Sequence, residues 1–280
     1  MKPPFFSVII PTLNEEKYLP KLLIQLANQT FREFELVLVD AQSNDRTVEV
    51  FRKFRDKTPS SKIFISDQRN VSYQRNLGAR KARGKYLIFF DADVYIEKTF
   101  LEEIHLAAVK KKFKLATTYI LPDSNRDIDQ ILLVLSNLGQ EIAKIIKKPF
   151  LGEYNTIIDR EIFLKLKGFR EDVTMSEGHD LALRAFKKKI EMVILPEPKL
   201  VMSLRRFRSE GTLMVLRKSA QSFIYTLLKG PITHKMFEYR MGGHVHKKRR
   251  GKADLSKINT YIKAIERLEG KINKVLGSSF

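Results

Sequence analysis

Four short apolar runs, at residues 7–10, 35–39, 63–65 and 86–90, alternate with segments of helical spacing, and this alternation restricts the fold more than any other feature of the chain. Each run is too short to be a buried helix and is rich in Val, Ile, Leu or Phe, so each reads as a strand. Residues 15–28, 45–57 and 71–83 lie between them and read as helices; the first places Leu19, Leu22, Leu23 and Leu26 on one face. Strand, helix, strand, helix predicts an α/β architecture with a mostly parallel sheet flanked by helices. Asn14 and Asp45 are suited to capping the helices that follow them, and Gly84 falls where the third helix must stop and turn.

The same reading continues with a helix over 99–111, a strand over 115–121, a very apolar helix over 128–147, a strand at 155–159, helices at 161–167 and 177–189, and a strand at 192–195. The apolar helix has hydrophobic residues on more than one narrow face, so it is expected to be buried or to rest on something apolar. The sheet domain is expected to span residues 1–204. Residues 205–280 read as a basic, partly amphipathic helical extension: Arg205, Arg206 and Arg208 open it, an apolar stretch with Arg217 and Lys218 inside follows at 213–228, and Lys247, Lys248, Arg249 and Arg250 form a basic run. The last segment sets Leu255, Ile258, Ile262, Ile265, Leu268, Ile272 and Val275 on a narrow helical stripe, suited to a short coiled coil or to packing back on the domain.

With 43% hydrophobic and 30% charged residues, the 280-residue chain has a globular balance. Its net charge of +20 predicts attraction to polyanions, whether nucleic acid, anionic lipid or a phosphorylated substrate. The absence of cysteine excludes disulfides, thiolate ligands and a cysteine nucleophile, and fits a reducing cytoplasm. No secretory leader is evident, and no run approaches the roughly 18 to 20 apolar residues of a spanning helix. A cytoplasmic location is therefore expected, with the amphipathic segments suited to the inner face of the cell membrane.

In sheets of this kind, ligands bind at the carboxyl ends of the parallel strands. Those ends carry Pro11, Thr12, Asn14 and Glu15, then Asp40, then Asp91-Ala92-Asp93. Alternate side chains of an extended segment share a face, so Asp91 and Asp93 can both enter the crevice. Two carboxylates there suit Mg²⁺ or Mn²⁺ bridged to a diphosphate, although the same pattern in isolation often only begins a turn.

The ordered set formed by residues 8–15, Leu36 to Asp40, Arg75-Asn76-Leu77-Gly78-Ala79 and Asp91-Ala92-Asp93 resembles the family 2 glycosyltransferases of GT-A fold, over roughly residues 5–204. The resemblance implies an inverting, metal-dependent hexosyltransferase that takes a nucleotide-sugar donor. Pro11, Thr12, Asn14 and Glu15 would line the nucleotide pocket, Asp40 would lie near the base or ribose and Arg75 near the base or diphosphate. Asp91 and Asp93, with Ala92 between them, would hold the metal and diphosphate. Ala41 stands where the family commonly has a second acid, which counts against UDP as donor nucleotide. Residues 175–184 are similar to the family's acidic segment that supplies a general base to the acceptor hydroxyl. The usual Glu-Asp pair is Glu177-Gly178 here, leaving Glu177 and Asp180 as candidates, with Glu177 in the aligned position.

His179 reads either as a residue facing sugar or metal or as an ordinary hydrogen-bonding side chain. Residues 238–246, with two glycines and two histidines, have the composition of a loop closing over a diphosphate, and Arg205, Arg206 and Arg208 suit either a phosphate clamp or a solvated basic face. A glycan or a lipid-linked acceptor fits a membrane-surface enzyme. Two rival readings are a nucleotide-sugar-binding protein without turnover and a cationic nucleic-acid-binding protein; the latter lacks any recognised nucleic-acid module.

Overall fold

In the computed structural model, which describes residues 3–237 and 242–243, the four apolar runs are the strands β1 (Phe6–Thr12), β2 (Phe34–Asp40), β3 (Ser61–Ile65) and β4 (Tyr86–Phe90). β1, β2 and β4 are buried along their whole length, as expected of strands covered on both faces. The helices between them are α1 (Leu19–Ala27), α2 (Thr47–Phe54) and α3 (Val71–Lys81). Then come α4 (Phe100–Lys111), β5 (Leu115–Pro122), α5 (Asp127–Ile145), β6 (Asn155–Asp159), α6 (Arg160–Lys165), α7 (Glu177–Lys187), β7 (Met192–Met202), α8 (Arg205–Glu210) and α9 (Thr212–Lys229). The strands form one sheet in the order β3-β2-β1-β4-β6-β5-β7. β6 alone runs against its neighbours, pairing antiparallel with both β4 and β5; its register sets Phe90 opposite Asn155. The expected mostly parallel sheet flanked by helices is therefore present.

Two apolar cores lie on the two sides of the sheet. One gathers Leu19, Leu22, Leu23 and Leu26 of α1 with Phe6, Val8, Leu36, Phe90 and Phe100; the other gathers Ile9, Val37, Phe89, Phe163, Phe169 and Leu181. The alternation of side chains along β1 and β4 sends successive residues into opposite cores.

Three local expectations differ from the structure. α1 begins at Leu19, and its N-cap position is Tyr18, not Asn14. Asn14 instead takes the left-handed conformation (φ 53°), its N–H donates to Ser43 Oγ at 2.8 Å, and its Oδ1 accepts from the Asn44 N–H at 2.7 Å. The N–H groups of residues 14–16 all donate to the 43–47 loop, with Glu15 N–H reaching Thr47 Oγ1 at 2.7 Å, so this stretch is tied to the loop after β2. The second difference is α2, whose N-cap position is Arg46, not Asp45; α5, expected to be buried or to rest on something apolar, packs Leu133 and Ala143 inward and leaves Val134, Leu135, Ile142 and Ile145 exposed. Third, β7 runs to Met202, well past the predicted end at 195. The stripe at 255–275, the basic run at 247–250 and both histidines of the 244–246 segment lie outside the described residues.

Gly84 occupies its expected turn for a steric reason. A Cβ there would lie 2.5 Å from Ser7 N and 2.6 Å from the Phe6 carbonyl carbon, both backbone atoms of β1. Its N–H donates to Ser7 Oγ at 2.8 Å, while Ser7 Oγ donates to the buried Glu35 carboxylate at 2.7 Å, which also accepts from the Arg83 N–H. This chain of bonds fixes where β4 enters the sheet. Gly84→Ala should cost about 1–3 kcal/mol of unfolding free energy, measured by urea denaturation, because the backbone of β1 must shift to accept the methyl group.

Candidate active site at the carboxyl edge of the sheet

The ends of β1, β2 and β4 and the start of α7 meet at one edge of the sheet. Asp40, closing β2, is fully buried; one of its carboxylate oxygens accepts from Thr12 Oγ1 at 2.9 Å and from Ser43 Oγ at 2.6 Å, and the other from the Ser43 N–H at 2.8 Å. The Gln74 amide, from α3, donates to the carbonyls of Thr12 and Val39 and so holds β1 and β2 in register where they leave the sheet. Pro11 pairs with Val39 within the strands, and Ala92 is buried between the two aspartates.

Arg75, also on α3, is the central cation. Its guanidinium donates to Asp91 Oδ1 at 2.8 Å and to Glu177 Oε1 at 2.7 Å, joining the end of β4 to the first residue of α7. Burial works against its charge, yet Asp91, Glu177 and Glu153 together hold it above its ordinary pKa. Arg75 leaves 3% of its side chain exposed whereas Asp91 leaves 40%, so the aspartate retains solvent-facing oxygen after making the bond.

Arg205, the first residue of α8, is a second cation of the same type. It grips both oxygens of Glu15 at 2.7 and 2.9 Å, donates through Nε to Asp93 Oδ2 at 2.8 Å, and stacks 4.4 Å from the centre of the Tyr18 ring. Burial raises Asp93 to about 7; Arg205 opposes this, while the charges of Asp91 and Glu15 add to it. Glu15 is likewise raised by burial against the pull of Arg205. Arg208 pairs with both oxygens of Asp123. Of the three arginines suited to phosphate, Arg205 and Arg208 thus hold carboxylates here, and Arg206 lies 3.9 Å from Glu210.

Four carboxylates, those of Glu15, Asp91, Asp93 and Glu177, surround two guanidiniums, a surplus of two negative charges when all are ionised. Among the described residues there is no cluster of three or more His, Asp or Glu side chains that would form a cage for a cation. A pair of carboxylates completed by substrate phosphates is the usual arrangement for Mg²⁺, and Asp91 and Asp93 fit it in chemistry and in charge.

The two candidate bases differ in surroundings. Glu177 contacts Arg75 and opens α7. Asp180 is locked by Arg184 Nε at 2.7 Å, and that arginine is itself tied to the carbonyls of Leu166 and Gly168. His179 faces neither carboxylate group: it is fully buried, stacked at 5.7 Å on Phe223 and edge-on to Phe150, and among the described residues neither ring nitrogen has a hydrogen-bond partner. Burial pushes its pKa down to about 4, Lys148 adding to the effect and Asp180 opposing it. Of the glycine-histidine segment, Gly242 and Gly243 are described; Gly243 N–H donates to the Leu13 carbonyl at 3.2 Å, and a Cβ on it would lie 2.5 Å from Glu15 Oε2.

Gln74 and Glu153 are not among the residues expected at the site, although Gln74 directly precedes the Arg75 motif. Glu153 had no local signal: it precedes β6 and reaches the edge only because that strand is reversed.

The family described as glycosyl transferase family 2 matches residues 7–166, more than half of the chain. Among curated proteins, an uncharacterized glycosyltransferase of Methanocaldococcus jannaschii is 29% identical over 248 residues, covering 81% of this chain and 79% of its own. A dolichyl N-acetyl-alpha-D-glucosaminyl phosphate 3-beta-D-2,3-diacetamido-2,3-dideoxy-beta-D-glucuronosyltransferase of Methanococcus voltae is 33% identical over 150 residues, 51% of this chain and 44% of that protein. The poly(ribitol-phosphate) beta-N-acetylglucosaminyltransferase TarS of Staphylococcus aureus is 39% identical over 101 residues, 35% of this chain and 18% of that protein. The matches thus span less than half the length of these last two relatives. Among solved structures, S. aureus TarS 1–349 in complex with UDP-GlcNAc superposes with a TM-score of 0.60 at 24% identity, covering 71% of this chain and 58% of that one. The mannosyltransferase PcManGT from Pyrobaculum calidifontis, in complex with GDP-Man and Mn²⁺, gives 0.60 at 19% identity, covering 79% and 65%.

Removing the central cation tests how the edge is held. Arg75→Met should destabilise the protein by about 3–5 kcal/mol in chemical denaturation, because Asp91 and Glu177 lose their shared partner. Arg75→Lys should recover only part of the loss, since one ammonium cannot reproduce the two-armed contact. With the sheet order, the polar strand ends and the family match in agreement, this chain belongs to glycosyl transferase family 2.

Proposed function

We propose that the protein transfers a hexosyl group, with inversion, from a nucleotide-diphosphate donor to an acceptor hydroxyl. The observation that carries this reading is the Asp91–Arg75–Glu177 bridge, which sets a half-exposed carboxylate suited to a diphosphate-bound cation beside a carboxylate suited to receive a proton. The names of the relatives favour nucleotide sugars as donors: the TarS structure holds UDP-GlcNAc and the PcManGT structure GDP-Man with Mn²⁺.

On this reading Thr12, Asn14, Glu15 and Asp40, with Pro11 at the base of the pocket, receive the nucleoside. Asp91 and Asp93 would hold Mg²⁺ or Mn²⁺, which would offset charge on the leaving diphosphate. Arg75 orients Glu177, and Glu177 takes the proton of the acceptor hydroxyl as its oxygen bonds to the anomeric carbon. The carbon–oxygen bond to the diphosphate breaks, and its electron pair leaves with the diphosphate. Asp180, committed to Arg184, serves the start of α7 and not the proton.

The dolichyl-linked and poly(ribitol-phosphate) acceptors named for two relatives favour a lipid-linked or polymeric glycan acceptor. A membrane surface is the fitting place for such chemistry. α9 exposes Leu213, Leu216, Ile224 and Leu228 along one stripe, and α5 exposes Leu135, Ile142 and Ile145, with exposed Ile146 just after it, beside the exposed Lys144, Lys147 and Lys148. Apolar stripes edged by lysine suit the interface of an anionic leaflet. No described helix is long and apolar enough to cross a membrane.

Asp93→Ala should abolish sugar transfer while leaving the melting curve and circular dichroism those of a folded protein; full activity in that variant would overturn the assignment. Chelation of divalent cations should stop transfer, and Mn²⁺ should restore it. Replacing Ile145 and Leu228 by Asp should weaken co-sedimentation with phosphatidylglycerol vesicles by about tenfold or more, by removing buried apolar area and adding repulsion. Unchanged co-sedimentation would exclude these stripes as the contact.

A further inference from the structure

Building on the proposed role of Glu177, we infer that Glu153 is a positioning residue for that base: it accepts from the Gly178 N–H and so fixes the first turn of α7.

The geometry starts at the helix end. α7 begins after Ser176, which sits in the left-handed conformation (φ 60°) and makes no side-chain capping bond. The free N–H groups of the first turn therefore need an acceptor from elsewhere. Glu153 supplies it: its Oε1 accepts from the Gly178 N–H at 2.7 Å, one residue beyond Glu177. The contact demands glycine at 178, since a Cβ there would lie 2.6 Å from the Leu151 carbonyl oxygen and 3.0 Å from Glu153 Oε1. The Gly178 that breaks the expected Glu-Asp pair thus makes room for a carboxyl group from a different segment.

Glu153 enters a crowded electrostatic setting. From α7 it meets the charge of Glu177; from α3 it meets Arg75, which is already shared between Glu177 and Asp91; and Tyr154 follows it in the chain. One guanidinium cannot neutralise three carboxylates. Although Glu153 is only half-buried, burial and the charge of Glu177 raise its proton affinity well above the ordinary carboxyl value, with Arg75 and the Gly178 N–H opposing. A neutral Glu153 accepts the helix N–H without adding a further charge beside Glu177, so Arg75 stays committed to Glu177 and Asp91.

Linkage gives a direct test. A carboxyl whose folded pKa lies above its unfolded value contributes stability that is fully present below the unfolded value and is lost as pH rises through the folded one. Glu153→Gln keeps the carbonyl acceptor but cannot ionise. Its melting temperature should match wild type near about pH 5 and exceed it by about 2–4 °C near about pH 9. Parallel melting curves across that range would overturn the inference, whether or not any transfer is detected. In the transfer assay Glu153→Gln should keep kcat at neutral pH within about twofold and lose the wild-type fall at alkaline pH, while Glu153→Ala should lower kcat about tenfold or more with the donor KM unchanged. An Ala variant with wild-type kcat would also sink the positioning role. If wild-type protein transfers no sugar from any donor, the function proposed above fails, and the melting comparison still decides whether Glu153 carries the proton.

Discussion

A single buried guanidinium, that of Arg75, is the constraint on which the edge of the sheet depends. It comes from a helix packed on β1 and β2, and it grips the end of β4 and the beginning of α7 at once. Charge-assisted bonds of this kind are stronger than neutral ones, but their larger effect here is negative. Two carboxylates from distant parts of the sequence could not approach this closely without a cation between them. The position of α7 relative to β4 is therefore fixed by electrostatics as well as by the apolar contacts of Leu181, Ala182 and Ala185 with the core.

Arg205 repeats the device for the other aspartate. Asp91 and Asp93 are two residues apart and lie at the same strand end, yet each answers to its own arginine, one from α3 and one from α8. The residue that opens the basic segment is thus built into the edge of the sheet. Its bidentate grip on Glu15 also explains how an acid can be buried beside two others. Even with Arg205 at 2.8 Å, burial and the charges of Asp91 and Glu15 leave Asp93 with a raised proton affinity.

The fold was legible in the sequence because it is written in local patterns: runs of Val, Ile and Leu bounded by polar residues, and a leucine stripe of helical period. The α1 start was missed because Asn14 has the chemistry of a cap, but its side-chain oxygen accepts from the Asn44 N–H while its own N–H donates to Ser43 and that of Glu15 to Thr47, bonds that only the folded chain creates. That α5 needs an apolar partner was readable, but not which side meets the sheet, since composition tells only how apolar a helix is. In the candidate site, the strand-end residues were readable because parallel strands place them in order. The partners of Arg75 were not, because Glu177 lies 102 positions away and no periodicity links them. The readings of Arg205 and Arg208 as phosphate ligands or solvated charges overlooked that carboxylates already waited nearby.

One topological detail has a wider reach. β6 is the only strand of the sheet that runs against its neighbours, and its register puts Asn155 level with Phe90. Every other strand brings its downstream residues to this edge, whereas β6 brings its upstream ones, so the segment that carries Glu153 arrives from the direction opposite to Asp40 and Asp91. The two sides of the cleft hence belong to separate stretches of chain with no turn in common. The stretch between α5 and β6 therefore carries one wall of the cleft, and the ends of β1, β2 and β4 carry the other.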